Sequence, residues 1–443
     1  MMRAKHFVHA FAAAAVVTAL AACGAPGTSG GNTAKDVDLS TPAVKEGTIT
    51  IVTKFADPKY APYFEKVASD YEAANPKVKV DLQQVGDQPY KDKIRVLAAS
   101  KKMPDIYFSW AGDFGSKFVR AGLSADLSSV IAPDTEWGAT FSPAALNAFK
   151  LDGKFYGVPI DLDAKYMAYN KALFAKVGAQ PPTTLEEMIS TCGKLKAAGY
   201  TPIAFGNQYG WPAIHYITQL NAYDVPADVR NTDYNPATGA FTDPGYEQAL
   251  TQFADIAKAC FAKGTNGLSH EAGQAEFLDS KAGMHYLESL EFQVLTANGG
   301  ASEALANNWD FFRLPAPANA AGDKGAITGA PDGFMVNPQS KNAALAVDFL
   351  KFMTSQENGK QMVSQLGWLS PVQGTATSEN SFPQLEATLA DISKASDFAI
   401  WLDTVTNAKV ADAYLSGVEG ILDGSNDPAG VMENVRAAAE KAK

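Results

Sequence analysis

Apolar and polar positions along the chain follow two periods, which alternate from one segment to the next. Thr48 to Phe55 is a run of apolar and β-branched residues, which is typical of a strand. From Tyr60 to Tyr71 the apolar residues recur at helical spacing. "NPKVKVDLQQV" then predicts a turn and a strand, Tyr90 to Ala99 a helix, and "PDIYFSW" a third strand. This order predicts a parallel sheet with helices on both faces.

The alternation continues through the rest of the chain. Thr184 and Glu187 predict a capping box at the start of a helix that Gly199 ends. Helices are predicted over residues 246–263 and 271–281, "AGMHYL" is typical of a strand between loops, and the last segment is mostly helical. A length of 443 residues suffices for two or three domains. We therefore expect an α/β protein with more than one domain.

The N-terminal residues are typical of an export signal rather than of the fold. Arg3 and Lys5 precede an apolar stretch from Phe7 to Leu20 that is short for a membrane span. The following "LAAC" resembles a bacterial lipobox, which implies cleavage of residues 1–22 and lipid attachment to Cys23. Residues 23–46 would then form a flexible tether. The alternative is an ordinary signal peptide with a cysteine there by chance.

Two cysteines remain in the exported part of the chain. Cys192 and Cys260 lie on the apolar faces of predicted helices. In an oxidising compartment they can form a disulfide, and two buried thiols are the alternative. No histidine lies close to either cysteine in the sequence, so a zinc site is not indicated.

Charge and motifs exclude several classes of function. The formal net charge is −11, and no long run of basic residues offers a contact for nucleic acid. Between residues 47 and 443 the sequence contains no GxSxG, GxGxxG or Walker motif, and the histidines are not spaced like metal ligands. His215 is interpreted as a core or surface histidine. We expect no metal and no cofactor.

Aromatic rings, carboxylates and amides recur where predicted strands end. The segments concerned carry Lys54 and Asp57; Trp110 and Asp113; Asp161 and Asp163; and Asn207, Gln208, Tyr209 and Trp211. Ligands of open α/β sheets bind at the carboxyl ends of strands. A sugar ring has an apolar face that can stack on an aromatic ring, and its hydroxyls bond to carboxylates, amides and lysines. The pattern indicates carbohydrate binding.

Five motifs occur in an order that resembles one family. They are "PDIYFSWAGDFG", "LDGKFYGVPIDLDAKYMAYNKALF", "PPTTLEEM" with "KLKAAGYTPIAFG", "SKAGMHYL", and "PDGFMVNPQSKNAALAVDFLKFM". Together they resemble the family 1 extracellular solute-binding proteins of sugar ABC importers, the maltose-binding-protein-like group. The resemblance runs from about Gly47 nearly to the C-terminus.

The resemblance implies a periplasmic-binding-protein fold, with two α/β lobes and a ligand cleft between them. The implied segments are lobe 1 at 47–158 plus 327–372, lobe 2 at 164–310 plus 375–443, and hinge crossings at 159–163, 311–326 and 373–374.

The family's ligand-binding residues carry over position by position. Trp110 and Asp113 match its sugar-contacting tryptophan and aspartate. The other matched or neighbouring positions are Asp163 with Asp161, Asp57 with Lys54, Trp211 with Tyr209 and Gln208, and Trp401. The chain departs from the family after "GMHYL", where Glu288 and Leu290 stand in place of glycine and tryptophan. Either Glu288 or Phe292 compensates for the missing ring or the sugar differs, and the unaligned Trp368 would face the cleft.

These implications define the expected function. The protein would be a monomeric receptor, not an enzyme, lipid-anchored at the outer face of the bacterial cytoplasmic membrane. It would capture a mono- or oligosaccharide by hinge closure and deliver it to an ABC permease. The alternative is a secreted glycoside hydrolase that uses two of the carboxylates among Asp161, Asp163, Glu288 and Glu291.

Overall fold

Two β-sheets, each flanked by helices, organise the chain in a computed structural model that describes residues 37–42 and 44–443. The predicted signal peptide and Cys23 lie outside the described residues. The strands are β1 (Gly47–Thr53), β2 (Val78–Gln84), β3 (Ile106–Trp110), β4 (Lys150–Leu151), β5 (Lys154–Phe155), β6 (Val158–Pro159), β7 (Lys165–Asn170), β8 (Thr201–Ala204), β9 (Ala282–Glu288), β10 (Trp309–Phe312), β11 (Ile327–Thr328), β12 (Asp332–Val336) and β13 (Phe398–Ala399).

Helices connect and cover these strands. They are α1 (Ala61–Ala74), α2 (Asp87–Ala99), α3 (Asp113–Arg120), α4 (Ser128–Ile131), α5 (Pro143–Asn147), α6 (Lys171–Lys176), α7 (Leu185–Ala197), α8 (Trp211–Asp224), α9 (Ala227–Asp233), α10 (Gly245–Cys260), α11 (His270–Leu278), α12 (Glu303–Ala306), α13 (Ala343–Met353), α14 (Gln356–Leu366), α15 (Pro383–Ile392), α16 (Leu402–Val405), α17 (Ala408–Asp423) and α18 (Pro428–Glu440). Short 3-10 helices span Gly138–Thr140, Thr265–Gly267, Ser289–Leu295 and Ala297–Gly299. None of the helices in this described part combines the length and apolarity needed to cross a bilayer.

The first sheet has the strand order β2-β1-β3-β12-β6. Its strands β1, β2 and β3 are parallel, as the alternating pattern predicted. β12 and β6 run antiparallel to their neighbours, which the prediction of a purely parallel sheet missed. The reason is the route of the chain, since β12 enters the sheet at the carboxyl end of β3. The register pairs Asp332 with Trp110 at that end.

The second sheet has the order β10-β7-β9-β8. β7 is antiparallel to both β9 and β10, while β8 and β9 are parallel. The β7–β9 register places Lys165 opposite Glu288. Lys165 begins β7 and Glu288 ends β9, so both residues lie where the segment from β6 enters the second sheet.

One segment that passes between the sheets carries two of the predicted site residues. Residues 160–164 join β6 to β7 and include Asp161 and Asp163. Isolated bridges pair Leu162 with Leu369 and Ala164 with Gly329. The predicted hinge crossings and lobe boundaries stay predictions.

Capping hydrogen bonds and a glycine define the two ends of α7, as the sequence predicted. The hydroxyl of Thr184 accepts the N–H of Glu187 at 3.2 Å, as the capping signal predicted. The Glu187 carboxylate accepts instead from the N–H of Thr183 at 2.8 Å, one residue before the cap. Gly199 ends the segment with φ +85°, a conformation that favours glycine.

The structure pairs Cys192 on α7 with Cys260 on α10 as a disulfide. Both side chains are completely buried among apolar residues of the second sheet's helices. The bond closes a loop with a sequence separation of 68 residues. It therefore restricts the unfolded chain over a long segment.

Replacing both cysteines by alanine should lower the free energy of unfolding by about 4 kcal/mol, because the unfolded chain regains the entropy of an open loop. Guanidinium unfolding of the double variant and the parent chain, each under oxidising conditions, measures the difference. Adding reductant to the variant should change nothing. Equal unfolding midpoints of variant and parent would show that the bond does not stabilise the fold.

Candidate functional site

A cavity of about 530 Å³ lies between the carboxyl ends of β1 and β3 on one side and β9 with the start of α8 on the other. Its wall contains nine of the predicted site residues: Lys54, Asp57, Trp110, Asp163, Tyr209, Trp211, Glu288, Trp368 and Trp401. Strands of both sheets and the C-terminal segment thus bring these distant positions together. A volume of this size is typical of a small-molecule site.

Three predicted residues do not line the cavity. Asp113 begins α3, and its carboxylate forms an ion pair with Arg120 at 2.5 Å. Asp161 is completely buried and accepts the N–H of Asp332 at 2.8 Å, so it shapes the crossing segment from behind. Gln208 is exposed, and its N–H donates to the carbonyl of Leu268 at 3.0 Å.

An ion pair forms the floor of the cavity on the first sheet. Lys54 Nζ lies 2.9 Å from Asp332 Oδ2 and 3.9 Å from Asp87 Oδ1. The same ammonium lies 4.9 Å from the centroid of the Trp110 ring. Burial by itself would lower the pKa of Lys54, but the negative charges of Asp332 and Asp87 outweigh it and raise that pKa. Lys54 is therefore a permanent cation.

Carboxyl groups crowd the segment between the sheets. Burial raises the pKa of both Asp161 and Asp163, and the neighbouring negative charges of Asp332 and Glu288 raise it further. Asp163 Oδ1 accepts from the hydroxyl of Ser289 at 2.7 Å and from the N–H of Leu290 at 3.3 Å. These bonds fix the Asp163 carboxyl at the cavity wall.

The tryptophans differ in how far they reach the open space. Trp110 is 7% exposed, Trp401 5% and Trp368 1%, whereas Trp211 is only half-buried. Trp110 is packed edge-on against Tyr90, Phe108 and Phe114. Of the four, Trp211 therefore presents most ring surface to a ligand.

Trp368, which packs on the first sheet's side, contacts the backbone of Leu290, the position where the family has a tryptophan. The indole N–H of Trp368 donates to the carbonyl of Leu290 at 3.1 Å. The Trp368 ring packs against Phe55 and Tyr60 and leaves almost no free face. Phe292 is completely buried against Trp309, so it does not compensate for the missing ring, whereas Glu288 does reach the cavity.

Comparison with known proteins decides the family. The family model described as bacterial extracellular solute-binding protein matches residues 57–360, which are more than half of the chain. The chain belongs to this family. Its members are extracellular binding proteins, so the protein is exported, and the alternative of a glycoside hydrolase has no support.

Relatives of this solute-binding protein match it over most of their length. A protein of Brucella abortus described as a binding protein is 25% identical over 392 residues, covering 86% of this chain and 90% of that one. The multiple sugar-binding protein of Streptococcus mutans is 24% identical over 381 residues, covering 82% and 85%. The solved structure of a chitin oligosaccharide binding protein matches with a TM-score of 0.81 at 22% identity, covering 90% and 99%. The last likeness confirms the predicted two-lobed α/β fold.

Sequence reasoning named Glu291 of this solute-binding protein only as a carboxylate of the hydrolase alternative, and missed the polar cluster that it forms with α11. Glu291 Oε1 accepts from Gln274 Nε2 at 2.7 Å and lies 2.7 Å from His270 Nε2. Glu291 Oε2 accepts the N–H of Glu288 at 2.9 Å. Burial by itself would raise the pKa of Glu291, but the positive charge of His270 and its hydrogen bond outweigh burial and hold that pKa well below its usual range.

The three histidines beyond the signal peptide also converge here. The rings of His270 and His285 lie 5.1 Å apart, and the Trp211 ring lies 4.7 Å from His270 and 5.0 Å from His215. His215 was interpreted as a core or surface residue, but it is a buried residue of the cavity wall. No sequence signal could have shown this, because the histidines come from α8, α11 and β9. Within the described residues, no group of His, Cys, Asp and Glu side chains is arranged to hold a metal ion.

His285 should make folding sensitive to acid. Burial lowers the pKa of His285 from 6.5 to about 3, and the nearby His270 adds to this shift. Between these values the unfolded chain binds a proton that the folded chain does not bind. Stability should therefore fall as the pH falls from about 6.5 to about 3, by up to about 1.4 kcal/mol per pH unit.

The variant His285→Gln has no imidazole to protonate in the unfolded chain. Its free energy of unfolding should therefore depend less steeply on pH than that of the parent chain. Urea unfolding at pH 7, 5 and 4 compares the slopes of the variant and the parent chain. The absolute stability of the variant is not the test, because the bond from His285 Nδ1 to the Ala204 carbonyl at 2.9 Å also changes. Parallel slopes would contradict the assignment.

Proposed function

We propose that the solute is a mono- or oligosaccharide, which the protein captures and delivers to the permease of an ABC importer. One observation carries the proposal, namely a cavity between two sheets whose wall combines aromatic rings, carboxylates and lysines. The rings match the apolar faces of sugars, and the charged groups match their hydroxyls. The names of the Streptococcus mutans relative and of the chitin oligosaccharide binding protein point the same way.

Each wall contributes a different type of contact. Trp211 and Tyr209, which is 43% exposed, supply aromatic surface from the second sheet's side. Glu288 and Asp163 accept hydrogen bonds from hydroxyls, and Lys54 donates to them from the first sheet. Asp57 is exposed at the rim, where its carboxylate already accepts the N–H of Lys59 at 2.8 Å.

Capture would proceed by rotation of the two lobes about residues 159–163, 311–326 and 373–374. A ligand that contacts both walls binds the closed arrangement better than the open one and shifts the population toward it. The permease then distinguishes the closed receptor from the open one.

The receptor would work as a monomer at the outer face of the cytoplasmic membrane. Cys23 would carry the lipid, and residues 23–46 would let the folded part reach the permease. Stable attachment requires two or more acyl chains, because a single chain binds a bilayer only reversibly.

A thermal-shift screen with maltotriose, raffinose, N,N′-diacetylchitobiose and galactose tests the proposal. A sugar that binds only the folded state should raise the melting temperature, by the equivalent of about 2.7 kcal/mol at a hundred times its Kd. Chromatography of the incubated sugars should show no shortened products. An unchanged melting temperature throughout the screen and with longer oligosaccharides, or turnover of any sugar, would contradict sugar reception.

Removal of the best exposed ring should weaken the complex. Trp211→Ala should cost about 2 kcal/mol of binding free energy, or roughly a thirtyfold loss of affinity, as for a central hot-spot residue. Calorimetric titration with the sugar that stabilises the parent chain most measures the loss. The matched control is Trp137→Ala, since Trp137 is half-buried on the first sheet's side and does not line the cavity. Affinities that agree for Trp211→Ala and the parent would refute the stacking role.

A further inference from the structure

A buried ammonium group lies behind the cavity wall, and the proposed function does not yet give it a role. Lys165, at the start of β7, is 1% exposed, which is rare for a lysine. Within the part of the chain that the structure describes, Lys165 Nζ has no hydrogen-bond partner. It lies 4.8 Å from the centroid of the Trp211 ring and 5.7 Å from that of Tyr286. A buried charge left in this state costs stability, so its presence requires a reason.

The anion that pairs with Lys165 is a carboxylate of the cavity wall. Lys165 Nζ lies 3.6 Å from Glu288 Oε1, and the β7–β9 register places the two residues directly opposite each other. Glu288 is 21% exposed at its side chain and lines the cavity. The pair therefore has one buried member and one member that faces a ligand.

A histidine approaches the same oxygen from a third element. His215 Nδ1 lies 3.5 Å from Glu288 Oε1 and is also buried without a hydrogen-bond partner among the described residues. Burial lowers the pKa of His215 well below its usual value, and the positive charge of Lys165 lowers it further. The imidazole is thus neutral, and its ring is held by stacking on Trp401 at 4.1 Å between centroids.

We propose that Lys165 is the positioning residue of the ligand site, whose buried ammonium holds the carboxylate of Glu288 in place as an acceptor for a sugar hydroxyl beside Trp211 and His215. The proposal rests on the proposed function and adds a residue to it. Lys165 acts through Glu288, because the ammonium itself is covered by the wall. A cation 3.6 Å from a carboxylate oxygen favours the charged carboxylate, and removal of Lys165 withdraws that support.

The part of the cavity formed by Glu288, Trp211 and His215, here called the recess, also restricts the chemical class of the ligand. The group that meets Glu288 must donate a hydrogen bond, which a hydroxyl does and a methyl ether or a deoxy position does not. A ligand carboxylate would meet the negative charge of Glu288. The recess therefore selects a neutral sugar unit with a free hydroxyl next to the face that meets Trp211.

A double-mutant cycle separates positioning from a structural role. The variants are Lys165→Met, Glu288→Gln and the two combined, with Lys171→Met as the matched control because Lys171 is exposed just beyond the other end of β7. The probe is whichever of maltotriose, raffinose, N,N′-diacetylchitobiose and galactose stabilises the parent chain most, titrated by calorimetry from pH 4 to 8.

The expected result is non-additive. Lys165→Met should reduce affinity at least tenfold in the parent chain and less than twofold when Glu288→Gln is already present, because Lys165 acts only through Glu288. The acid side of the pH profile should move to higher pH in Lys165→Met alone. The melting temperature of the sugar-free combined variant should equal or exceed that of the parent, since a buried charge has been removed. Lys171→Met should match the parent in every measurement.

The pH comparison accounts for the other ionisable groups near Glu288. These are His215, Glu291, Lys54, Tyr60, Asp161, Asp163, Asp332 and Asp403. They are present in all variants, so a shift that occurs when Glu288 is intact and vanishes in the Glu288→Gln background belongs to Glu288. If Lys165→Met does not fold, the same cycle is carried out with Lys165→Gln.

The outcomes distinguish this proposal from the one on which it rests. Equal losses of affinity from Lys165→Met in the parent and in the Glu288→Gln background would assign Lys165 a structural role and overturn the inference alone. An affinity of Lys165→Met equal to that of the parent chain would also overturn this inference alone. A parent chain that binds none of the sugars overturns the proposed function and this inference together.

Discussion

The ion pair between Lys54 and Asp332 is the contact on which the site depends. It joins the first strand of the described chain to a strand that returns late in the sequence, and it does so directly under Trp110. The register of β3 and β12 brings Asp332 to this place, and the N–H of Asp332 in turn fixes Asp161 in the crossing segment. One buried pair thus sets the floor of the cavity and the path of the chain toward the second sheet. Burial of its charges costs desolvation, and their mutual attraction opposes that cost.

Buried polar groups that cost desolvation also occur toward the second sheet. Asp161, Lys165 and His215 each have a buried polar atom without a hydrogen-bond partner among the described residues. Unmet donors and acceptors are costly when water is excluded, and they become favourable when a ligand supplies the missing partners. Of these three residues only His215 lines the cavity, so a ligand can supply a partner to His215 directly and can act on Lys165 only through Glu288. This is preorganisation, in which the fold itself bears the cost of orienting the groups.

The strand order at the start of the chain and the sharp start of α7 could be predicted because they rest on local periodicity and capping. The places of Lys54 and Trp211 followed from the rule that ligands meet the carboxyl ends of strands, and that of Asp163 from the family's first crossing segment. Asp113 could not be placed, because its pairing with Arg120 depends on the rotation of α3. The convergence of His215, His270 and His285, and the pairing of Lys165 with Glu288, depend on sheet register and helix packing between distant segments. Hydrophobic patterning carries no information on such contacts.

Four of the chain's six tryptophans line one cavity. The indole rings differ in their surroundings, since Trp110 lies near two ammonium groups, Trp401 lies on an imidazole and Trp211 is half open. Any change in the polarity or water content of the cavity must alter the surroundings of several of these fluorophores at once. The protein consequently carries its own optical reporter, and its ultraviolet emission follows the state of the site without an attached dye.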